Sequence, residues 1–334
     1  MKTGKNKLIV ILYSDAKREY FKSDDLYLTE EEVYPRCKII RRHLEKLGYR
    51  VLLLPGNVDT FSKIKKLDPY IVFNLVDSVY GREDLSPIIP SLLEVLKIPY
   101  TGAGALGLSI NTNKYLTKVI LKEAGLPVPR FQLFSAYNER FNKKLRFPLI
   151  TKLNCFHGSL EINQRSMVEN EKDLRQRVKF LISKYGREVL VEEYVKGKEI
   201  TTLIIEDKKE IILSEERLFF RKNKYQLFGF EEAWSDEEFY DVKKISLDFA
   251  VKNDIKKAFK ILQMNDYARF EIIIDKTGKH YFIDPNANPA FGPKEAGEAF
   301  GYLLYLYKIP FEDVVKKIIN NSRARFFSRA PLDK

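Results

Sequence analysis

With 334 residues, 45% of them apolar and 31% charged, the chain has room for two or three domains and a sizeable core. Its two cysteines, Cys37 and Cys155, lie too far apart in sequence to be a disulfide framework or a zinc site, which fits a reducing cytoplasm. Apolar runs such as LIVILY (8–13) are too short to span a bilayer, and no small-residue cleavage site follows MKTGKNK. The net charge of +12 raises nucleic acid as a partner. The basic residues, however, are interleaved with acids everywhere except in the closing SRARFFSRAPLD. A lysine-rich solvated surface is therefore the reading, and a site for a small polyanion is compatible with the same charge.

KLIVILYS reads as a buried strand, EEEVYPRCKIIRRHLEKLGY contains a helix, RVLLLPG and YIVFNLV read as strands, and SPIIPSLLEVLKI as a helix. That alternation predicts a parallel, Rossmann-like α/β domain over 1–110, closed by IPYTGAG. In NTNKYLTKVILKEAGLPVP, Asn111, Thr112 or Asn113 caps a helix with Leu116, Val119, Ile120 and Leu121 on one side, which Gly125 and Pro127 stop. A central α+β subdomain is expected over 111–197. It holds the strand FPLITKL, the loop NCFHGS, the strand LEINQ, a charged helix near 169–184 and the strand EVLVEEYV. A C-terminal subdomain is expected over 198–334, with strands around a DKK turn, a helix in SLDFAVKNDIKKAFKILQM, two last strands and a helix near 311–321. The polar stretch 229–245 gives no readable period.

TGAGALG carries G-x-G-x-x-G at Gly102, Gly104 and Gly107, the spacing of a dinucleotide fingerprint. It follows the fourth expected strand rather than the first, and the stretch some twenty residues on is helical, with no strand-terminal acid. A tight turn between domains is the better reading.

In YARFEIIIDKTGKHYFIDPNANP two apolar strands flank KTGK. A two-residue turn at Thr277-Gly278 and a four-residue turn over 276–279 both set Glu271 opposite Asp284 and Arg269 opposite Asn286. Directly opposed carboxylates repel. A cation between them removes the penalty, and Glu, Asp and Asn are hard oxygen donors suited to Mg²⁺ held jointly with phosphates. The competing reading is a solvent-facing polar stripe with an Arg–Glu pair. A register slip of one residue would throw Glu271 to the other face.

With these residues in view, the chain resembles the ATP-grasp superfamily, in its D-alanine–D-alanine ligase-like branch. The resemblance rests on FNLVD…IPSLLEVLKIPYTGAG, NKYLTKVILKEAGLPVP, FPLITKL…HGS, VLVEEYVKGKEIT and YARFE…FIDPNANP, about two-thirds of the chain in order. It implies an α/β first domain followed by two subdomains with antiparallel sheets. It also implies ATP with two Mg²⁺ (Mn²⁺ being compatible) bridged by Glu271, Asp284 and Asn286. Lys114 and Lys152 would neutralise phosphate, Glu192, Tyr194 and Val195 would meet the base, and Glu199 the sugar. Ser159 in the HGS loop would cover the γ-phosphate, and Arg269 would stabilise the tetrahedral oxyanion. The implied reaction joins a small carboxylate to an amine through an acyl phosphate, releasing ADP and phosphate. The branch is often dimeric through its first domain, so a homodimer is implied. Read blandly, Tyr194 is core packing; Lys152 resists that reading, because lysine is rarely buried without an anionic partner.

The departures from the family gather at the amino-acid pocket. The metal-ligand acids are exchanged, Glu271 for Asp and Asp284 for Glu. The loop reads His157-Gly158-Ser159 where the family has Gly-Ser-Ser. The acid near the first strand has no clear place in YSDAKREYFKSDD, where Asp15 and Glu19 are candidates. Ala233 precedes Trp234 where a phosphate-contacting lysine is expected, leaving Lys243 or Lys244 to replace it. FGPKEAGEAFG lacks the Ser-Leu pair that meets the second substrate's carboxylate. His157 is a substrate contact or a surface histidine, and Cys155 a reactive thiol or a packing residue. A ligase with altered substrates is expected, and a nucleotide-binding protein with a decayed acceptor site is the alternative.

Overall fold

The computed structural model describes residues 7–235 and 237–328. Most of MKTGKNK and the end of the Arg/Phe-rich stretch, from 329 on, lie outside the described residues. The chain runs β1 (Leu8–Tyr13), α1 (Asp24–Glu31), α2 (Val33–Lys46), β2 (Arg50–Pro55), α3 (Val58–Leu67), β3 (Ile71–Leu75), α4 (Ile88–Val95) and α5 (Ala105–Asn111). It continues with α6 (Lys114–Glu123), β4 (Phe131–Phe134), β5 (Leu149–Leu153), β6 (Met167–Val168), α7 (Glu171–Tyr185) and β7 (Val189–Glu193). Then come β8 (Gly197–Ile205), β9 (Ile211–Phe219), α8 (Phe230–Trp234), β10 (Tyr240–Ile245), α9 (Phe249–Ile261), β11 (Tyr267–Asp275), β12 (His280–Asn286), α10 (Ala299–Leu306) and α11 (Phe311–Ser328).

The first sheet is parallel, in the order β2-β1-β3, as the strand–helix alternation predicts. IPYTGAG adds only a parallel bridge from Tyr100 to Val72. β1 is buried on both faces: Val10 and Leu12 pack with α4, Ile9 and Ile11 with α2. The second of those cores continues into Tyr267, Phe291, α10 and α11, so the last helices of the chain pack against the first sheet.

Two antiparallel sheets follow, β4-β7-β5-β6 and β10-β9-β8-β11-β12. Period-two alternation gives each an apolar and a polar face. In the four-stranded sheet Leu149, Leu153, Val189 and Val191 pack on Leu174, Val178 and Leu181 of α7. In the five-stranded sheet Ile200, Ile204, Ala268, Phe270 and Ile272 pack on Val251, Ile255 and Phe259 of α9. Both polar faces line one cavity.

Several local expectations change. LEINQ forms turns, and the short strand beside β5 is Met167–Val168 instead. The unreadable stretch contains α8 and β10, and α11 runs seven residues past its expected end at 321. The β11–β12 turn is neither of the two considered. Ile274 pairs with His280 and Asp275 N–H donates to the Lys279 carbonyl, so the loop has three residues, with Gly278 at φ +86°. That offset alone would put Glu271 opposite Ile283. A bulge at Ile283 restores the pairing, with Glu271 opposite Asp284 and Arg269 opposite Asn286. The bulge also turns Asp284 to the cavity while Phe282, two residues earlier, stays in the core.

The glycine motif has a packing explanation. Gly102 N–H donates to Asp266 Oδ2 at 2.6 Å, and a Cβ at Gly107 would lie 2.3 Å from the Gln263 carbonyl oxygen. Helix α5 can therefore approach the end of α9 only where there is no side chain. Gly107→Ala is expected to destabilise the fold by about 1–3 kcal/mol, read as a lower urea midpoint. An unchanged midpoint would mean that this close approach is dispensable.

Candidate functional site

The cavity between the polar faces has a volume of about 1080 Å³. The residues that the resemblance assigns to nucleotide, metal and catalysis all line it: Lys114, Lys152, Ser159, Glu192, Tyr194, Val195, Glu199, Arg269, Glu271, Asp284 and Asn286.

On the five-stranded sheet, the opposed acids are neutralised by protein cations. Glu271 takes Arg217 Nη1 at 2.9 Å and Arg269 Nε at 3.0 Å, and accepts from the Thr201 hydroxyl at 3.0 Å. Asp284 takes Lys114 Nζ at 2.8 Å. Desolvation raises the Asp284 pKa, but Lys114 and the neighbouring cations outweigh it and hold the carboxyl below its ordinary range. Asn286 Oδ1 accepts from Asn288 N–H at 2.9 Å, and Asn288 Nδ2 donates to Asp77 Oδ1 at 2.8 Å. Among the described residues no group of three His, Cys, Asp or Glu side chains could hold a metal. The donor set here is two carboxylates and an amide oxygen, all hard ligands, and this chemistry fits Mg²⁺.

On the other wall one carboxylate stands between two lysines. Glu192 is 1% exposed and sits between Lys118 and Lys152, 2.7 Å from each. The anionic partner that Lys152 demands is thus the carboxylate expected at the base. Burial pushes Lys118 down to about 8 against the pull of Glu192. Burial raises Glu192, but the two lysines bring it below its ordinary value. Tyr194 Oη accepts from Gln226 N–H at 3.1 Å. Glu199, 3.7 Å from Arg217, is raised by burial to about 7.

The HGS loop is fixed from two sides. His157 N–H donates to both oxygens of Glu83 at 3.1 Å, and Trp234 Nε1 donates to the Gly158 carbonyl at 2.9 Å. Gly158 and Ser159 have φ of +67° and +55°. Burial, with Lys114 adding to it, lowers the His157 ring to about 4, so it is neutral at physiological pH.

Some expectations do not place the residue in the site. Asp15 and Glu19 are absent from the cavity wall, where Glu30, Asp77 and Glu83 stand instead. Lys243 and Lys244 are exposed on β10, with Lys244 Nζ 4.0 Å above the Tyr307 ring. Arg217, 8% exposed, is a cation in the wall on that side. Sequence reasoning missed Arg217, Glu215 and Lys118. The signal for the first two was present in LSEERLFF, where acid and base stand two apart on one face of an apolar strand. Lys118 looks like any surface lysine of an amphipathic helix until β5 and β7 are packed on it.

The model of the D-ala D-ala ligase C-terminus family matches residues 120–320. The D-alanine–D-alanine ligase of Carboxydothermus hydrogenoformans is 26% identical over 307 residues, 87% of this chain and 94% of that protein. An uncharacterised protein of Sinorhizobium fredii is 26% identical over 266 residues, 76% of this chain and 78% of its own length. Among solved structures, D-alanine–D-alanine ligase from Bacillus anthracis superposes with a TM-score of 0.75 at 22% identity, covering 97% of this chain and 100% of that one. The same enzyme complexed with ATP gives a TM-score of 0.72 at 20% identity. The matched residues contain β4 through β12, and with them Glu271, Asp284, Arg217 and Arg269, while Lys114 and Lys118 lie just before them. The chain belongs to the D-Ala–D-Ala ligase family, with the ATP-grasp fold.

Proposed function

We propose that the protein is an ATP- and Mg²⁺-dependent carboxylate–amine ligase that forms an amide or peptide bond from substrates other than a pair of D-alanines. The family supports an ATP-dependent ligase. The observation that carries the finer reading is the convergence of Glu271, Asp284, Asn286, Arg269, Lys114 and Lys152 on one cavity. A polyanion and its counter-ions need this mixture of fixed cations and hard oxygen donors.

In this reading a substrate carboxylate oxygen attacks the γ-phosphorus of ATP, the bond to the bridging oxygen breaks, and ADP leaves. The amine nitrogen then attacks the acyl carbon. The bond from that carbon to the phosphate oxygen breaks, phosphate leaves with the electron pair, and the nitrogen loses a proton. Glu271, Asp284 and Asn286 would hold Mg²⁺, which when bound neutralises phosphate charge. Lys114 and Lys152 act as point charges on the phosphates. Glu192 holds Lys152 in the wall at 2.7 Å and lies beside Tyr194 and Val195, the residues that meet the base, with Glu199 at the sugar. The Ser159 hydroxyl covers the γ-phosphate. Arg269 stabilises the oxyanion at the acyl carbon. The same reading makes the protein a cytoplasmic homodimer. Among the described residues no helix is long and apolar enough to cross a membrane.

Ala233, standing in the cavity wall without a charge, favours the second reading, a nucleotide-binding protein without turnover. ADP release from MgATP, measured against D- and L-amino acids singly and in pairs with mass detection of product, separates the two. The ligase is expected to turn over with at least one pair, to stop in EDTA, and to recover with Mg²⁺ or Mn²⁺. MgATP binding without turnover on any pair supports the second reading.

Arg269 separates them further, because binding a nucleotide does not require it. Arg269→Ala is expected to lower turnover by about 10²–10³ while MgATP affinity stays within about threefold. An equal loss of both would remove its catalytic role.

A further inference from the structure

Glu215 is a buried cavity carboxylate with an oxygen that has no partner among the described residues. It is 3% exposed and lines the cavity, and its Oε2 is buried with no hydrogen-bond partner. Among the described residues it has no salt bridge. Its neighbours are committed elsewhere. Glu215 stands in a cross-strand row, with Lys244 on one side and Thr201, Glu271 and Asp284 in succession on the other. Lys244 turns away onto the Tyr307 ring. Thr201 donates to Glu271. Arg217 reaches Glu271 and Glu199, and Arg269 reaches Glu271, so both guanidiniums are engaged by the other two carboxylates of this face. Burial lifts the Glu215 carboxyl to about 7, with Arg217 pulling the other way.

An unpaired buried carboxylate costs several kcal/mol, and native structures keep such groups where a ligand or a reaction uses them. A cationic hydrogen-bond donor is the partner that both satisfies the oxygen and offsets its charge. A divalent metal needs several oxygen donors at once, whereas here there is one free carboxylate flanked by two guanidiniums. An ammonium, compact and with hydrogen-bond donors to spare, suits a single acceptor. The amine substrate of the proposed reaction carries such a group. β9 is tied to the end of α10 by Tyr307, whose hydroxyl accepts from Ser214 N–H at 3.1 Å, and Gly297, Ala299 and Tyr302 line the same cavity.

We propose that Glu215 binds the ammonium group of the amine substrate, a contact that rests on the ligase reading and deepens it. Two half-reactions test it on the native protein, Glu215→Gln and Glu215→Asp. The first is acyl-phosphate formation, read as hydroxamate from MgATP, hydroxylamine and each amino acid of the panel. Hydroxylamine is uncharged at pH 8 and needs no anionic contact. The second is amide formation with the amino acid pair that supports ADP release.

In Glu215→Gln the KM for the amine is expected to rise about tenfold or more, the worth of one charged hydrogen bond, while hydroxamate formation stays within about threefold of native. Glu215→Asp should recover part of the loss. The ligand-free Glu215→Gln protein should also melt above native at pH 8, since it no longer buries an unpaired charge. An unchanged amine KM overturns the proposal. So does a raised Mg²⁺ requirement with the amine KM unchanged, which would make Glu215 a metal ligand. A lower melting temperature with both half-reactions lost would make it structural and overturn the proposal too. A native protein that yields no hydroxamate with any acid of the panel counts instead against the ligase reading itself.

Discussion

Two carboxylates pinned face to face on neighbouring strands cannot both be ionised without counter-charge close by. Glu271 and Asp284 are such a pair, and the cavity is arranged around their neutralisation. The cations come from different parts of the chain: Arg217 from β9, Arg269 from β11, and Lys114 from the start of α6. The ion pair from Lys114 therefore spans the two antiparallel sheets' territories. Across the cavity two lysines share the single carboxylate of Glu192. At both clusters the cations outnumber the carboxylates, three about the opposed pair and two about Glu192. Fixed cations in excess suit a polyanionic ligand.

The frame that keeps this polarity in place has its own charged hub. Asp266, fully buried just before β11, accepts from Gly102 N–H at 2.6 Å and from the Ser322 hydroxyl at 2.8 Å, and pairs with Arg325. It fixes the turn after the first sheet, the entry to the site hairpin and the last helix to one another. Because a buried ion pair with one partner removed is costly, the hub makes separation of these three segments expensive. The hairpin enters the cavity from a rigid base.

Much of this was legible in the sequence because it depended on period and opposition. Strand–helix alternation identified the parallel sheet, and residue type narrowed the cap to Asn111, Thr112 or Asn113, of which Asn113 accepts from Leu116 N–H at 2.9 Å. The opposed pairing of the site hairpin was read correctly for an incomplete reason. The turn is one residue shorter than the four-residue alternative and one longer than the two-residue one, and the bulge at Ile283 compensates. No local signal at Ile283 marks the bulge, since a β-branched residue in an apolar strand looks regular. LEINQ was misread because alternation also occurs in a turn whose side chains face different neighbours. The counter-ions were illegible for a deeper reason: Lys118, Glu192 and Lys152 come from three separate elements, and only packing brings them within 2.7 Å.

The loop departure at Gly158 looks, in sequence, like the decay of a substrate contact. The packing gives it another cause. A Cβ at this position would lie 2.7 Å from Thr29 Cγ2 of α1, and the residue has φ of +67°, so a serine would be both crowded and strained. The loop lies against α1, with His157 N–H on Glu83 and the Gly158 carbonyl on Trp234. Thr29, Glu83 and Trp234 all line the cavity. Glycine at 158 thus permits close contact with α1, and Glu30 and Glu83 stand in the cavity wall with this loop. Burial raises both of these acids, Glu30 to about 7, so this end of the cavity presents carboxyls that a neighbouring cationic group would return to their charged form. With glycine at 158 the loop packs closely on α1, and the cavity keeps a closely packed, acid-lined wall here.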